Sequence, residues 1–105
     1  ARCITYPARL LHIVDGDTVS VMAFLDQDIY AVKAVRLARI DAPEARQEGY
    51  QAAFEALRDL FAGEEEFTVT VCWHDKYGRW IGEVVVKKGN VSDLMLKTGT
   101  VKPYR

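Results

Sequence analysis

Acidic and basic side chains gather in four short stretches of this chain: Asp15-Gly-Asp17, Arg36, Asp41-Ala-Pro-Glu44 and Asp75-Lys-Tyr-Gly-Arg79. Each lies where a hydrophobic run stops. Carboxylates such as Asp17, Asp41 and Glu44, brought close together, repel and raise one another's pKa unless a cation joins them. A hard divalent ion does this, and Ca²⁺ takes oxygen ligands from carboxylates, backbone carbonyls and water. Asp17 and Asp41 suit that task because short side chains at turns are held stiffly, whereas the longer Glu44 can orient a water. Arg36 and Arg79 do not serve a metal; their planar forks match two oxygens of a phosphate. A metal, a carboxylate base and two guanidiniums together make a site for an anionic phosphorus centre.

Taken singly, each stretch has a plain structural reading. Asp-Gly-Asp is a tight turn, Asp-x-Pro-Glu is a strand stop followed by acids that suit a helix start, and Tyr-Gly-Arg is another turn. The combination is specific only if the fold brings the stretches to one rim, so the elements between them matter. Leu10 to Val14 is a short apolar run ending at the Asp15–Asp17 turn, and Thr18 to Met22 alternates polar and apolar as a half-buried strand does. The two predict a hairpin. After a turn at Asp26-Gln-Asp28, a third strand is predicted over Ile29–Ile40 and is closed by Pro43. From Tyr50 the period lengthens: Tyr50, Phe54, Leu57, Leu60 and Phe61 share one helical face, with Gly63 as the stop. Phe67 to Trp73 alternates again, with Phe67, Val69, Val71 and Trp73 on the apolar face. Trp80 to Val86 is a fifth strand beyond the Tyr77-Gly78 turn, and Val91 to Lys97 is a short helix. Hairpins dominate, so the pattern is β-rich α+β: a five-stranded OB-fold barrel with a helix inserted after strand 3 and a short C-terminal helix.

The 105 residues suit one compact domain spanning 1–105, and half of them are hydrophobic, enough for a core. Net charge is −1, with 14 basic and 15 acidic residues, so a globally basic nucleic-acid footprint is absent and any anion site must rest on local charge. No apolar run approaches the roughly 20 residues of a membrane helix. No basic-plus-apolar leader opens the residues given, and Ala1 in place of a methionine leaves open a processed chain. Cys3 and Cys72 have no zinc spacing; they read either as packed thiols or as a disulfide.

In this order, the motifs make the chain resemble the staphylococcal nuclease (thermonuclease) family. The matching segments are Ile13-Val-Asp-Gly-Asp-Thr18, Val35-Arg-Leu-Ala-Arg-Ile-Asp-Ala-Pro-Glu44 and Asp75-Lys-Tyr-Gly-Arg79, and the likeness runs from about Arg9 to the end. The resemblance implies an OB-type barrel and calcium-dependent hydrolysis of DNA and RNA phosphodiesters that leaves 3′-phosphate ends. It implies Asp17 and Asp41 as carboxylate ligands of Ca²⁺, with the backbone carbonyl of Ala42 beside them and the Ala42 side chain nearly irrelevant. It implies Glu44 as the group that positions or deprotonates water, and Arg36 and Arg79 as the phosphate-binding, catalytic pair. Lys76 and Tyr77 match a Lys-Tyr that touches a terminal phosphate, and Tyr104 aligns with a tyrosine that stacks on a base, in a register that Pro103 leaves open. The partners implied are DNA and/or RNA, with no membrane and a monomeric chain, and the compartment implied is secreted or periplasmic. One departure is the short segment from Ala45 to about Gly49, where the staphylococcal enzyme carries a long basic loop.

Two other readings compete with the nuclease. One is a non-catalytic OB-fold module that binds nucleic acid or protein; the other is a binder of small phosphate compounds. Among the remaining residues, His12 reads as a surface or satisfied strand histidine. His74 and Trp80 are residues that can touch substrate, though both also have plain structural readings. Arg39 alternates away from Arg36 and belongs either in a salt bridge or at the barrel rim.

Overall fold

The computed structural model describes residues 2–104. In chain order the elements are β1 (Ile4–Asp15), β2 (Thr18–Asp26), β3 (Ile29–Leu37), β4 (Ile40–Asp41), α1 (Tyr50–Phe61), β5 (Phe67–His74), β6 (Trp80–Val86), β7 (Gly89–Asn90), α2 (Val91–Thr98) and β8 (Lys102–Pro103). The long strands pair in the order β3-β2-β1-β5-β6, and a short parallel contact between β3 and β6 closes them into a barrel. The expected OB-fold barrel, with α1 between the third and fourth long strands and α2 near the end, is the architecture the chain adopts.

β1 is much longer than the apolar run from Leu10 suggests. Its first half, from Ile4 to Ala8, pairs with β5, and its second half, from Ala8 on, pairs with β2. Ala8 belongs to both ladders and is fully buried. Pro7 hides this strand from a reading of the sequence, because proline usually argues against a paired strand.

The third strand ends sooner than the expected Ile29–Ile40. Arg39 takes a left-handed conformation (φ 71°), which breaks the ladder after Leu37 and swings Ile40 and Asp41 into a separate pairing with β8. Arg39 makes this turn stable. Its Nε and Nη2 donate to the two carboxylate oxygens of Glu83 at 2.7 and 2.9 Å, Nη2 also donates to Asn90 Oδ1 at 3.1 Å, and Nη1 lies 2.8 Å from Asp93. Asn90 in turn caps α2 by accepting the Asp93 N–H. Of its two sequence readings, Arg39 takes the salt bridge.

Hydrogen bonding from Arg39 is the main reason Glu83 sits below the ordinary glutamate pKa of 4.5; partial burial opposes this, and Asn90 adds to the lowering. A depressed carboxylate stabilises the fold above its unfolded pKa, and that contribution is lost as pH falls through the folded value. Glu83→Gln is therefore expected to cost about 1 kcal/mol at neutral pH, since both groups are partly exposed. The gap from wild type should narrow below the ordinary value of 4.5. Denaturant melts at pH 7 and pH 3 check this; a gap that persists at low pH would contradict it.

The core fills from both sides. α1 buries Ala53, Leu57 and Phe61 against the barrel, with Phe61 edge-on to Phe67 at 5.1 Å. Gly16 permits the closest approach: a Cβ there would meet the Ala53 and Ala42 methyls at 2.7 and 2.8 Å. The Ala42 side chain is therefore not irrelevant as expected, because its buried methyl packs where the Gly16 turn meets α1.

Of the two tryptophans, Trp80 takes its structural reading and Trp73 departs from its core one. Trp80 is buried and stacks on Tyr6 at 5.1 Å, which removes it as a base-stacking residue. Trp73, read as core, is 57% exposed. The cause is a β-bulge: Val71 pairs with Gly82 but Trp73 pairs with the very next residue of β6, Ile81, so Cys72 is an extra residue. The bulge reverses the alternation and turns Trp73 outward. Cys72 at this bulge forms a disulfide with Cys3, just before the start of β1.

Candidate active site

Three elements bring Asp17, Arg36 and Asp41 together. Asp17 lies in the β1–β2 turn, and its carbonyl accepts the Leu37 N–H at 2.7 Å, which fastens the turn to the end of β3. Arg36 lies on β3, opposite Thr18 of β2 and Ile81 of β6. Asp41 lies on β4, delivered by the Arg39 turn. The Arg36 guanidinium is at their centre: Nη2 is 3.4 Å from both Asp17 Oδ2 and Asp41 Oδ1, and Nη1 donates to the carbonyls of Leu37 (3.2 Å) and Ile40 (3.0 Å). Two main-chain carbonyls and two carboxylates fix the orientation of one fork.

Asp17 is the best-held carboxylate of the site. Oδ2 accepts the Ala42 N–H at 3.0 Å and Oδ1 accepts the Thr18 hydroxyl at 3.0 Å. Burial by itself would raise its pKa, but hydrogen bonds from Asp15, Ala42 and Thr18, together with the charge of Arg36, outweigh burial and hold it below the usual carboxylate range. Asp15 goes the other way: burial, then its hydrogen bond to Asp17, push it up to about 6. Asp15 also accepts the Asp17 N–H at 3.1 Å. Asp15 and Thr18 are thus supporting residues that were not singled out from the sequence. Their signal was available in the Asp-Gly-Asp-Thr turn, where short polar side chains close onto nearby backbone.

The expected gathering of three carboxylates does not occur. Glu44 is exposed and its side chain has no hydrogen bond among the described residues; the segment holds its backbone instead, where Glu44 N–H donates to Gln47 Oε1 at 2.7 Å. No group of three or more His, Cys, Asp or Glu side chains converges as a metal cage among the described residues. Asp17 and Asp41, which share one guanidinium nitrogen, are the hard-oxygen donors present. That donor set fits a hard cation completed by a backbone carbonyl and water.

Arg79 is positioned separately. Asp75 Oδ1 accepts the N–H groups of Tyr77 and Arg79, and Oδ2 accepts Arg79 Nε at 2.6 Å, closing the β5–β6 loop on itself. The terminal nitrogens of Arg79 have no protein acceptor among the described residues. In the parallel β3–β6 contact Arg36 is in register with Ile81, so the two side chains share a face, and Arg79 lies in the loop that leads into β6, two positions before Ile81. Lys76 and Tyr77 are exposed on the same loop, with the Lys76 ammonium 5.3 Å and the Arg79 guanidinium 5.8 Å from the Tyr77 ring centre. Tyr104 also arrives at the site. Pro103 pairs with Ile40, the Tyr104 N–H donates to the Arg39 carbonyl, and the ring lies 4.7 Å from the Arg36 guanidinium.

A cleft of about 680 Å³ adjoins Asp41 and is bounded by Pro43, Gly49 and Lys102. Neither Arg36, Arg79 nor Glu44 lines it. It is a neighbour of the arginine centre and not the centre itself.

Comparison with known proteins gives consistent matches. Residues 34–105 match the model of the family described as staphylococcal nuclease homologue. An uncharacterized endonuclease of Escherichia coli O157:H7 is 34% identical over 103 residues, covering 97% of this chain and 63% of the relative. An uncharacterized endonuclease of Haemophilus influenzae is 32% identical over 97 residues, covering 92% of this chain and 52% of the relative. A micrococcal nuclease of Shigella flexneri is 31% identical over 109 residues, covering 95% of this chain and 59% of the relative. The chain thus spans between 52% and 63% of the length of these relatives. With a family match over well more than half its length, covering the strands and turns that carry Arg36, Asp41 and Arg79, this chain belongs to the staphylococcal nuclease family.

Proposed function

We propose that the chain is a calcium-dependent nuclease that hydrolyses phosphodiester bonds of DNA, RNA or both and leaves 3′-phosphate ends. The observation that carries the reading is the meeting of Asp17, Asp41 and Arg36 from three separate elements, with Arg79 in the loop that leads into β6, the strand paired with Arg36. Asp17 and Asp41 would hold the calcium with the Ala42 carbonyl. Bound there, the ion would polarise a phosphoryl oxygen and neutralise charge on it.

The chain's own residues account for the rest. Glu44 accepts a proton from the attacking water as the water oxygen bonds to phosphorus in line with the departing 5′ oxygen. The P–O5′ bond breaks, and solvent protonates the 5′ oxygen. Arg79 presents its free terminal nitrogens to the phosphoryl oxygens, where charge grows in the transition state, and Arg36 adds its fixed positive charge. Arg79 is not the proton donor, because a guanidinium stays protonated at neutral pH. Lys76 and Tyr77 meet a terminal phosphate, and Tyr104 meets a base. The Cys3–Cys72 disulfide supports a secreted or periplasmic setting, since such bonds persist in oxidising compartments.

The test is incubation with plasmid or RNA. Cutting should require Ca²⁺, stop in EDTA and return on adding Ca²⁺ in excess. Cutting that continues in EDTA would remove the roles of Asp17 and Asp41. A gel shift without cleavage under every metal condition would favour the non-catalytic binding module.

A further inference from the structure

We propose that Trp73 is a base-stacking residue that extends the nucleic-acid site beyond the arginine pair, an inference that rests on the nuclease reading. The bulge at Cys72 places Trp73 opposite Ile81, and Ile81 is in turn opposite Arg36 across the parallel contact. Cross-strand partners point to the same side of a sheet, so Trp73, Ile81 and Arg36 form one row, with the Arg79 loop entering β6 beside it. The burial pattern agrees: the neighbouring pairs Val71–Gly82 and Leu37–Gly82 face the core, whereas Trp73 is 57% exposed. Two strand spacings separate Trp73 from Arg36, about 10 Å between Cα atoms. An extended single strand covers that in one or two nucleotides.

An exposed indole needs an explanation here because the strand's own alternation would have buried it. The bulge that exposes it carries a disulfide-bonded cysteine, so the outward setting is pinned covalently to the start of β1. The Tyr104 ring lies 4.7 Å from the Arg36 guanidinium and is also exposed. Two exposed aromatics thus accompany the arginine centre, Tyr104 against the Arg36 guanidinium and Trp73 in the Arg36 row on β5. An aromatic ring beside cationic groups is the arrangement that holds single-stranded nucleic acid, through stacking that accepts any base.

The measurement is intrinsic fluorescence during titration with phosphorothioate oligothymidylates from two to eight nucleotides long, with Ca²⁺ present. Trp80 is buried, so quenching should come from Trp73. Trp73→Ala should weaken binding of the longer oligomers roughly 10-fold, leave thymidine 3′,5′-bisphosphate unaffected, and keep the wild-type melting temperature. Trp73→Phe should recover most of the loss. Tyr30→Ala serves as the control: Tyr30 is exposed on the same face but roughly 20 Å further along β3, and its loss should change nothing. Equal affinities of wild type and Trp73→Ala at every length would overturn the proposal, while plasmid cleavage by the same wild-type preparation would keep the nuclease reading intact. Conversely, Trp73-dependent, length-dependent binding in a protein that cleaves no polynucleotide would uphold the aromatic contact and sink the nuclease reading.

Discussion

Arg36→Ala protein should cleave DNA about 10²–10³-fold more slowly than wild type, by analogy with removal of one donor to a developing oxyanion, and it should also melt at a lower temperature. The second effect follows from what Arg36 holds. Its guanidinium binds two carbonyls, of Leu37 and Ile40, and two carboxylates, of Asp17 and Asp41. Alanine leaves the carbonyls without donors and leaves the largely buried Asp17 facing Asp41 without a countercharge. A cost of about 1–3 kcal/mol is expected from charged partners left unpaired in a partly buried site. Arg36→Lys separates the two roles. An ammonium restores the charge but cannot span carbonyls and carboxylates at once, because it is a point donor and not a fork. It should recover more activity than stability, because catalysis takes the charge of Arg36 whereas the fold takes its fork. Kinetics on a defined oligonucleotide, run beside thermal melts of all three proteins, checks this. A lysine variant with wild-type turnover would show that Arg36 contributes charge alone.

The sequence carried the strands and turns that position the site further than it carried the site's internal wiring. Alternation in β5 and β6 and the helical period from Tyr50 to Phe61 mark the barrel and α1 because each of these segments buries one face, whereas β2, which also alternates, is buried on both faces from Thr18 to Val21. Where the local pattern broke, the reading failed. Arg39 ends β3 through a left-handed turn that a basic β-strand residue gives no hint of, and the energetic support for it lies in Glu83, Asn90 and Asp93, distant in sequence. Trp73 was assigned inward by strict alternation, and one extra residue at Cys72 reversed it. In the site, the charged residues were legible as types and their division of labour was not. Arg36 and Arg79 look equivalent in sequence, but the terminal nitrogens of Arg36 meet four protein acceptors, whereas those of Arg79 meet none among the described residues. Whether gathered carboxylates and guanidiniums neutralise one another depends on backbone geometry, and here each arginine answers differently.

Glu44→Gln is expected to give the cleanest separation of catalysis from folding. The Glu44 side chain is exposed and has no hydrogen bond among the described residues, and the turn it belongs to is held through the Glu44 main chain: its N–H donates to the Gln47 side-chain Oε1, and its carbonyl accepts the Gln47 N–H at 2.9 Å. A glutamine keeps the shape and the backbone bonds but loses the ability to accept a proton. If Glu44 is the base, kcat should fall about 10²–10⁴-fold, the range typical for a positioned proton acceptor, while the melting temperature stays at the wild-type value. Binding of a phosphorothioate oligonucleotide should also be unchanged, because Glu44 has no role in gripping the substrate before reaction. Loss of activity together with loss of stability would mean that Glu44 holds the Pro43–Gly49 segment in place. Full activity would remove the water-activating role from Glu44. A Glu44→Asp protein distinguishes reach from basicity: the shorter acid is as basic but stands further from phosphorus, so partial activity would assign the defect to distance.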